Sequence, residues 1–150
     1  MNILVTGGLG YIGSHVVVCL VENGYDVIIL DNLSNSDISV LSRLEKITSR
    51  KLNFKEIDLG IEDHVKDFFK KNTNIEGIIH FAALKSVGES VRKPNKYFQN
   101  NLNATINILK YMPEKVPFVF SSSCTVYGSA MKQPITESTP HGIAESPYGK

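Results

Sequence analysis

Four features of this 150-residue chain combine residue types that can do chemistry: a glycine run from Gly7 to Gly13, Asp31, Ser123 and Tyr148. The glycine run, Gly7-Gly8-Leu9-Gly10-Tyr11-Ile12-Gly13, follows a short apolar stretch, Ile3-Leu4-Val5-Thr6, that reads as a buried strand. It precedes an apolar helical segment, Ser14 to Glu22, and a second apolar run, Val27 to Leu30, which ends in Asp31. Strand, glycine turn, helix, strand and acid stand in the order a dinucleotide site requires. Side chains at Gly7 and Gly10 would clash with the bend or block a pyrophosphate, and one at Gly13 would hold the helix away from the strand. The helix start presents free N–H groups and a positive dipole end to a diphosphate. Asp31, eighteen residues beyond Gly13, is placed to accept from the ribose hydroxyls, and its charge repels a 2′-phosphate. NAD is therefore expected rather than NADP.

The other two features concern a reaction. Phe118 to Phe120 reads as a strand delivering Ser121-Ser122-Ser123-Cys124-Thr125 to its carboxyl end, where ligands of open α/β sheets bind. Tyr148 follows Ser123 by twenty-five residues. A serine and a tyrosine beside NAD suit the removal of a proton and a hydride from a secondary alcohol. A tyrosine with a pKa near ~10 is only about 0.1% ionised at pH 7, so it needs neighbouring positive charge to act as a base.

Size and composition narrow the remaining classes. At 150 residues the length predicts one domain, small for an enzyme that must hold a dinucleotide and a second substrate. The formal net charge of +1, with acids and bases interspersed, gives no basic face for nucleic acid and no polybasic tract for a membrane. The amino terminus enters a strand within two residues, leaving no room for a signal peptide, and Val16 to Val21 is far too short to span a bilayer. Cys19 and Cys124 form no C-x-x-C pattern, which fits reduced thiols in a cytoplasmic protein. His15, His64, His80 and His141 have no paired metal-ligand spacing, so no metal is expected. His80, closing an apolar strand, reads as a satisfied core residue.

The elements that must position these residues alternate between strand and helix. Asn32-Leu33-Ser34-Asn35-Ser36 forms a polar loop leaving the second strand, and Ser36 or Asp37 caps a helix with Ile38, Leu41, Leu44 and Ile47 on its apolar side. Leu52 to Ile57 predicts a third strand ending at Asp58-Leu59, where Asp58 either meets an adenine amino group, with Leu59 flanking the ring, or caps the helix beginning near Ile61. Ile61, Val65, Phe68 and Phe69 have the spacing of a helix docking on a sheet. Ile75 to Phe81 predicts a fourth strand running into Ala82-Ala83-Leu84-Lys85, small residues that let a flat ligand lie against backbone, followed by a cation that is either part of the site or a solvated charge. Pro94 begins a long helix to Tyr111 with a stripe of Phe98, Leu102, Thr105, Ile106 and Leu109, facing either the core or a partner. Lys132 to Pro147 is a long loop rich in proline, serine, threonine and glycine. The pattern predicts an α/β doubly wound parallel sheet of order 3-2-1-4-5, a Rossmann-type NAD-binding domain over 1–150 that ends before its last strands.

Five stretches together resemble the UDP-glucose 4-epimerase family of the extended short-chain dehydrogenase/reductase superfamily. They are Thr6 to His15, Asp31 to Ser36, His80 to Ser90, Ser121 to Gly128 and Ser146 to Lys150, spaced consistently along the whole length. The resemblance implies that Tyr11 and Ile12 line the pyrophosphate turn, that Asp31, Asn32, Leu33, Ser34, Asn35 and Ser36 hold the adenosine ribose, and that Asp58 and Leu59 meet the adenine. It implies that Phe81, Ala82, Ala83, Leu84, Lys85 and Asn100 continue the NAD site toward the nicotinamide. Ser123 matches the serine that binds the sugar 4-hydroxyl, and Tyr148 matches the general base. In the family, NAD stays bound while C4 of the UDP-hexose is oxidised to a ketone, the keto-sugar turns over, and hydride returns to its other face. The base belongs to a Tyr-x-x-x-Lys motif whose lysine would fall at position 152, so the 150-residue chain alone is expected to be inactive. The substrate-gripping C-terminal part of the family is also absent, and the family's long helix packs against its mate in a homodimer.

Two other readings compete. A nucleotide-sugar 4,6-dehydratase would need an acid beside the active-site serine, and Ser122-Ser123-Cys124 has none; epimerases acting on N-acetylated or uronic UDP-sugars stay open. The alternative from another class is a non-catalytic NAD-binding fragment.

Overall fold

The computed structural model describes residues 1–129 and 133–150, so Lys132 at the head of the expected long loop lies outside the described residues. The elements run β1 (Asn2–Thr6), α1 (Tyr11–Glu22), β2 (Asp26–Asp31), α2 (Ser39–Thr48), β3 (Asn53–Glu56), α3 (Glu62–Lys71), β4 (Gly77–His80), α4 (Val87–Arg92), α5 (Pro94–Tyr111) and β5 (Phe118–Phe120), with a 3-10 turn at Cys124–Tyr127. The five strands pair in parallel in the order β3-β2-β1-β4-β5. The chain thus winds outward from β1 in one direction and returns to wind outward in the other. That reversal opens a crevice beyond the carboxyl ends of β1 and β4.

Both faces of the central strands are covered, which is why they are continuously apolar rather than alternating. Leu4, Ile28, Leu30 and Ile78 point to one side and pack with Val65, Phe68 and Phe69 of α3 and Ala104 and Ile108 of α5. Ile3, Val5, Val27 and Ile29 point to the other and pack with Val17 and Val21 of α1 and Leu44 of α2. Each fully buried aliphatic or aromatic side chain here is worth about 1.5–3 kcal/mol of transfer free energy.

Several elements depart from expectation. Helix α1 begins at Tyr11, not Ser14, so Tyr11, Ile12 and Gly13 form its first turn and Gly10 its N-cap. Neither Ser36 nor Asp37 occupies the N-cap of α2, which is Ile38. The Ser36 hydroxyl is drawn to Asp31 (2.8 Å), and the Asp37 carboxylate instead closes a turn on the Ser39 N–H (2.8 Å). Ile38 and Ile47 are exposed, leaving Leu44 as the buried residue of that helix. Asp58 does not cap α3 either, because the N-cap is Ile61 and the Asp58 carboxylate accepts from the Gly60 N–H (2.8 Å). On α5 the buried residues are Tyr97, Ala104, Asn107 and Ile108, while Leu102, Ile106 and Leu109 are each more than half exposed. Of the stripe read from the sequence, Leu102, Ile106 and Leu109 therefore face outward, while Thr105 turns in toward His80.

His80 joins three elements. Its Nδ1 lies 2.6 Å from the Thr6 Oγ1 of β1, and its Nε2 lies 3.2 Å from the Thr105 Oγ1 of α5. It is 2% exposed, and burial pushes its pKa down from 6.5 to about 4. The folded protein therefore holds the ring neutral where the unfolded chain would protonate it. This group's contribution to stability is complete above pH 6.5 and is lost as pH falls toward 4, by about 3 kcal/mol in all. Urea unfolding followed between pH 7 and 4 should show that slope in the parent and a flatter one in His80→Phe. A His80 NMR titration midpoint near 6.5 in the folded state would contradict the assignment.

Candidate cofactor cleft and active site

The site begins where three backbones touch. After β1 the chain turns at Gly7, whose φ of +66° is natural only for glycine, and a Cβ there would lie 2.8 Å from the Ala82 nitrogen in the segment leaving β4. On its other side the Gly7 carbonyl oxygen would stand 2.2 Å from a Cβ at Gly13. Any side chain at Gly13 would lift α1 off the turn, and any at Gly7 would separate β1 from the exit of β4. The Gly10 N–H closes the turn on the Gly7 carbonyl (3.0 Å), and no side chain caps the start of α1. The first N–H groups of this helix are thus left for a ligand, at the positive end of its dipole.

Asp31 anchors the second part. Its Oδ2 accepts from the Leu9 N–H (3.1 Å), and its Oδ1 accepts from the Leu33 N–H (3.0 Å) and the Ser36 hydroxyl (2.8 Å). One carboxylate therefore ties the glycine turn to the loop after β2. A carboxylate offers about four acceptor sites, so roughly one remains for an incoming hydroxyl.

Between these parts and β5 lies a cleft of about 400 Å³. Gly7, Gly10, Tyr11, Ile12 and Gly13 line it from the turn and α1, and Asp31, Asn32, Ser34, Asn35 and Ser36 line it from the β2 exit. Asp58 and Leu59 border it beyond β3, Phe81, Ala82, Ala83, Leu84 and Lys85 beyond β4, and Asn100 on α5. Ser123 and Tyr148 line the same cleft. Of the residues nominated from the sequence, Leu33 alone is not among the lining groups. Its side chain packs against the α1 and α2 side of the core, and its backbone adopts φ +57° so that its N–H reaches Asp31.

The Ser123 and Tyr148 hydroxyls arrive by different routes. Ser123 ends the β5 segment, and its Oγ accepts from the Thr125 N–H (3.3 Å) and the Thr125 hydroxyl (3.0 Å). Tyr148 returns on a long segment that meets the 3-10 turn, where the Gly142 N–H donates to the Val126 carbonyl (3.2 Å) and His141 packs edge-on to Tyr127. Sequence reasoning missed Asn101 and Asn107. Asn101 clasps Leu84 from both sides, accepting from its N–H (2.9 Å) and donating to its carbonyl (3.0 Å), so it shapes the loop that carries Lys85. Asn107, buried on α5, donates to the Leu59 carbonyl (2.8 Å). Their signal was asparagine in mid-helix, a poor helix former that there tends to bond to other backbone.

An uncapped helix start behind a glycine turn, with an acid at the next strand end, defines a Rossmann-type dinucleotide-binding domain. The chain belongs to the family whose model, described as GDP-mannose 4,6 dehydratase, matches residues 4–150. Among individual relatives it is 51% identical over 154 residues to the UDP-glucose 4-epimerase of Bacillus subtilis, covering 100% of this chain and 44% of that protein. It is 48% identical over 155 residues to the UDP-glucose 4-epimerase of Schizosaccharomyces pombe, covering 99% of this chain and 43% of that one. The crystal structure of the UDP-glucose 4-epimerase from Bifidobacterium longum in complex with NAD+ and UDP superposes with a TM-score of 0.94 at 46% identity, over 99% of this chain and 45% of that chain. The chain spans less than half the length of these relatives.

Proposed function

We propose that this chain is the NAD-binding part of a UDP-sugar 4-epimerase that interconverts UDP-glucose and UDP-galactose in galactose metabolism. The observation carrying this reading is that Ser123 and Tyr148 line one cleft with the glycine turn and Asp31. NAD fits the residues present: the Gly7 and Gly13 contacts leave a cradle only backbone can form, and Asp31 keeps an acceptor for a ribose hydroxyl. Tyr11 and Ile12 would hold the pyrophosphate, Asn32, Ser34, Asn35 and Ser36 the adenosine side, Asp58 and Leu59 the adenine. Phe81 to Lys85 and Asn100 would hold the nicotinamide end. When bound, NAD supplies reversible two-electron redox chemistry and a positive charge that favours a nearby phenolate.

Tyr148 then takes the proton of the sugar 4-hydroxyl, and Ser123 binds that hydroxyl and relays the proton between sugar and phenol. The sugar leaves at the same oxidation level at which it entered, so the residues need only return the proton they removed. The dehydratase reading is disfavoured by the cleft's charges. Its lining carboxylates are Asp31, at the end of β2, and Asp58, beyond β3, whereas beside Ser123 stand Ser121 and Ser122. The intact gene product, given UDP-galactose without added NAD, should form UDP-glucose. Tyr148→Phe should lower kcat by about 10²–10⁴-fold, the usual worth of a positioned base. Formation of a 4-keto-6-deoxy product, or a parental rate in Tyr148→Phe, would contradict the assignment.

Among the described residues no helix is long and apolar enough to cross a membrane, and we assign the protein to the cytoplasm, where the exposed thiols of Cys19 and Cys124 stay reduced. We assign it no nucleic-acid partner. The outward stripe of Leu102, Ile106 and Leu109 on α5 supports a homodimer packed helix to helix. Sedimentation velocity should find a dimer of the intact protein, and the double substitution Leu102→Glu with Ile106→Glu should convert it to monomer. A dimer undisturbed by both charges would place the interface elsewhere.

A further inference from the structure

The Tyr148 segment needs something to hold it, since the described residues 133–150 form neither strand nor helix. Its local bonds are short-range: the Gly149 N–H meets the Ser146 carbonyl (3.0 Å) and hydroxyl (3.3 Å). One hydrogen bond crosses fifty-eight residues. The Tyr148 N–H donates to the Oγ of Ser90 on α4 (3.3 Å), and Ser90 is fully buried. The Ser90 hydroxyl proton is already committed to the Val87 carbonyl (2.7 Å), which fixes the rotor and turns its lone pairs outward from the helix. A serine bonding back within a short helix is common and by itself has only a structural meaning. The second bond, to the backbone of the proposed base, is what that meaning does not cover.

The support for Ser90 is itself rigid. Ser86 caps α4 by accepting from the Glu89 N–H (3.4 Å), and the Ser86 N–H donates to the hydroxyl of the buried Tyr97 (3.2 Å). The Tyr97 hydroxyl donates to the Glu89 carboxylate (3.0 Å), which also pairs with Lys96 (2.9 Å). Helix α4 is thereby pinned to α5. It starts two residues after Lys85, so a cation and a phenol that both line the cleft are attached to the same short helix.

We propose that Ser90 is a positioning residue for catalysis: by holding the Tyr148 backbone it sets the phenol at proton-transfer distance from a sugar hydroxyl. This rests on the reading of Tyr148 as the general base. A base acts only within about 2.6–3.2 Å of its proton, and a misplacement near 1 Å costs on the order of 10²-fold.

The test compares Ser90→Ala and Ser90→Thr with the parent in the intact protein, measuring kcat and KM for UDP-galactose, bound NAD, melting temperature and amide exchange at Tyr148. Ser90→Ala should lose about 10–100-fold in kcat with KM held within about twofold. Its NAD content and melting temperature should stay near the parent's, its Tyr148 amide should exchange faster, and Ser90→Thr, which keeps the hydroxyl, should recover most of the rate. A Ser90→Ala enzyme with the parental kcat would overturn the positioning role alone. So would a rate lost in step with bound NAD and melting temperature and not recovered by threonine, since that pattern marks a purely structural contact. A parent with no turnover on either UDP-sugar would instead overturn the proposed function, and the catalytic meaning of Ser90 with it.

Discussion

Three backbone segments meet at Gly7, and the remaining architecture is built to keep them in contact. The turn after β1, the start of α1 and the exit of β4 approach so closely that a single Cβ at Gly7 or Gly13 would sit inside a neighbouring backbone group. This contact brings the positive end of a helix to the carboxyl edge of a parallel sheet. It also sets the β4 exit, with Phe81 to Lys85, directly against the glycine turn.

Two polar devices hold that contact from either side. Asp31 pulls the turn toward the β2 exit through the Leu9 N–H. His80 pulls β1, β4 and α5 together through Thr6 and Thr105, with its ring kept neutral by burial. The sheet supplies the carboxyl edge, these two residues set the spacing across it, and the asparagines of α5 fix the loops above it. The Ser123 and Tyr148 hydroxyls come last, Ser123 just beyond β5 at the start of the 3-10 turn and Tyr148 on a segment bonded to Ser90 of α4.

The fold was legible because its signals were redundant. Central strands buried on both faces must read as unbroken apolar runs, and Ile3 to Val5 and Val27 to Leu30 do so, while the strand order follows from the alternation of strand and helix. The glycine turn was legible for a similar reason, since only glycine satisfies the contacts at Gly7 and Gly13. Helix faces were less so. On α5 the inward side sets only Ile108 beside Tyr97, Ala104 and Asn107, two polar-tipped residues and one small one, so apolar periodicity selects the outer side. The partners of Asn101, Asn107 and Ser90 were not legible, although asparagine in mid-helix marked the first two. Each depends on a partner 17, 48 or 58 residues away, and local pattern does not encode such partners.

The chemistry proposed for the cleft rests on two sets of groups that line it: an uncapped helix start with Asp31, and Ser123 with Tyr148. A crystal structure of the intact protein with NAD and UDP tests that arrangement most directly. Diphosphate oxygens should lie within hydrogen-bond distance of the α1 N-terminal N–H groups, a ribose hydroxyl on Asp31, and the nicotinamide ring adjacent to both the Ser123 and Tyr148 hydroxyls. A dinucleotide bound elsewhere, or a nicotinamide ring with those hydroxyls on opposite sides of the sheet, would contradict it.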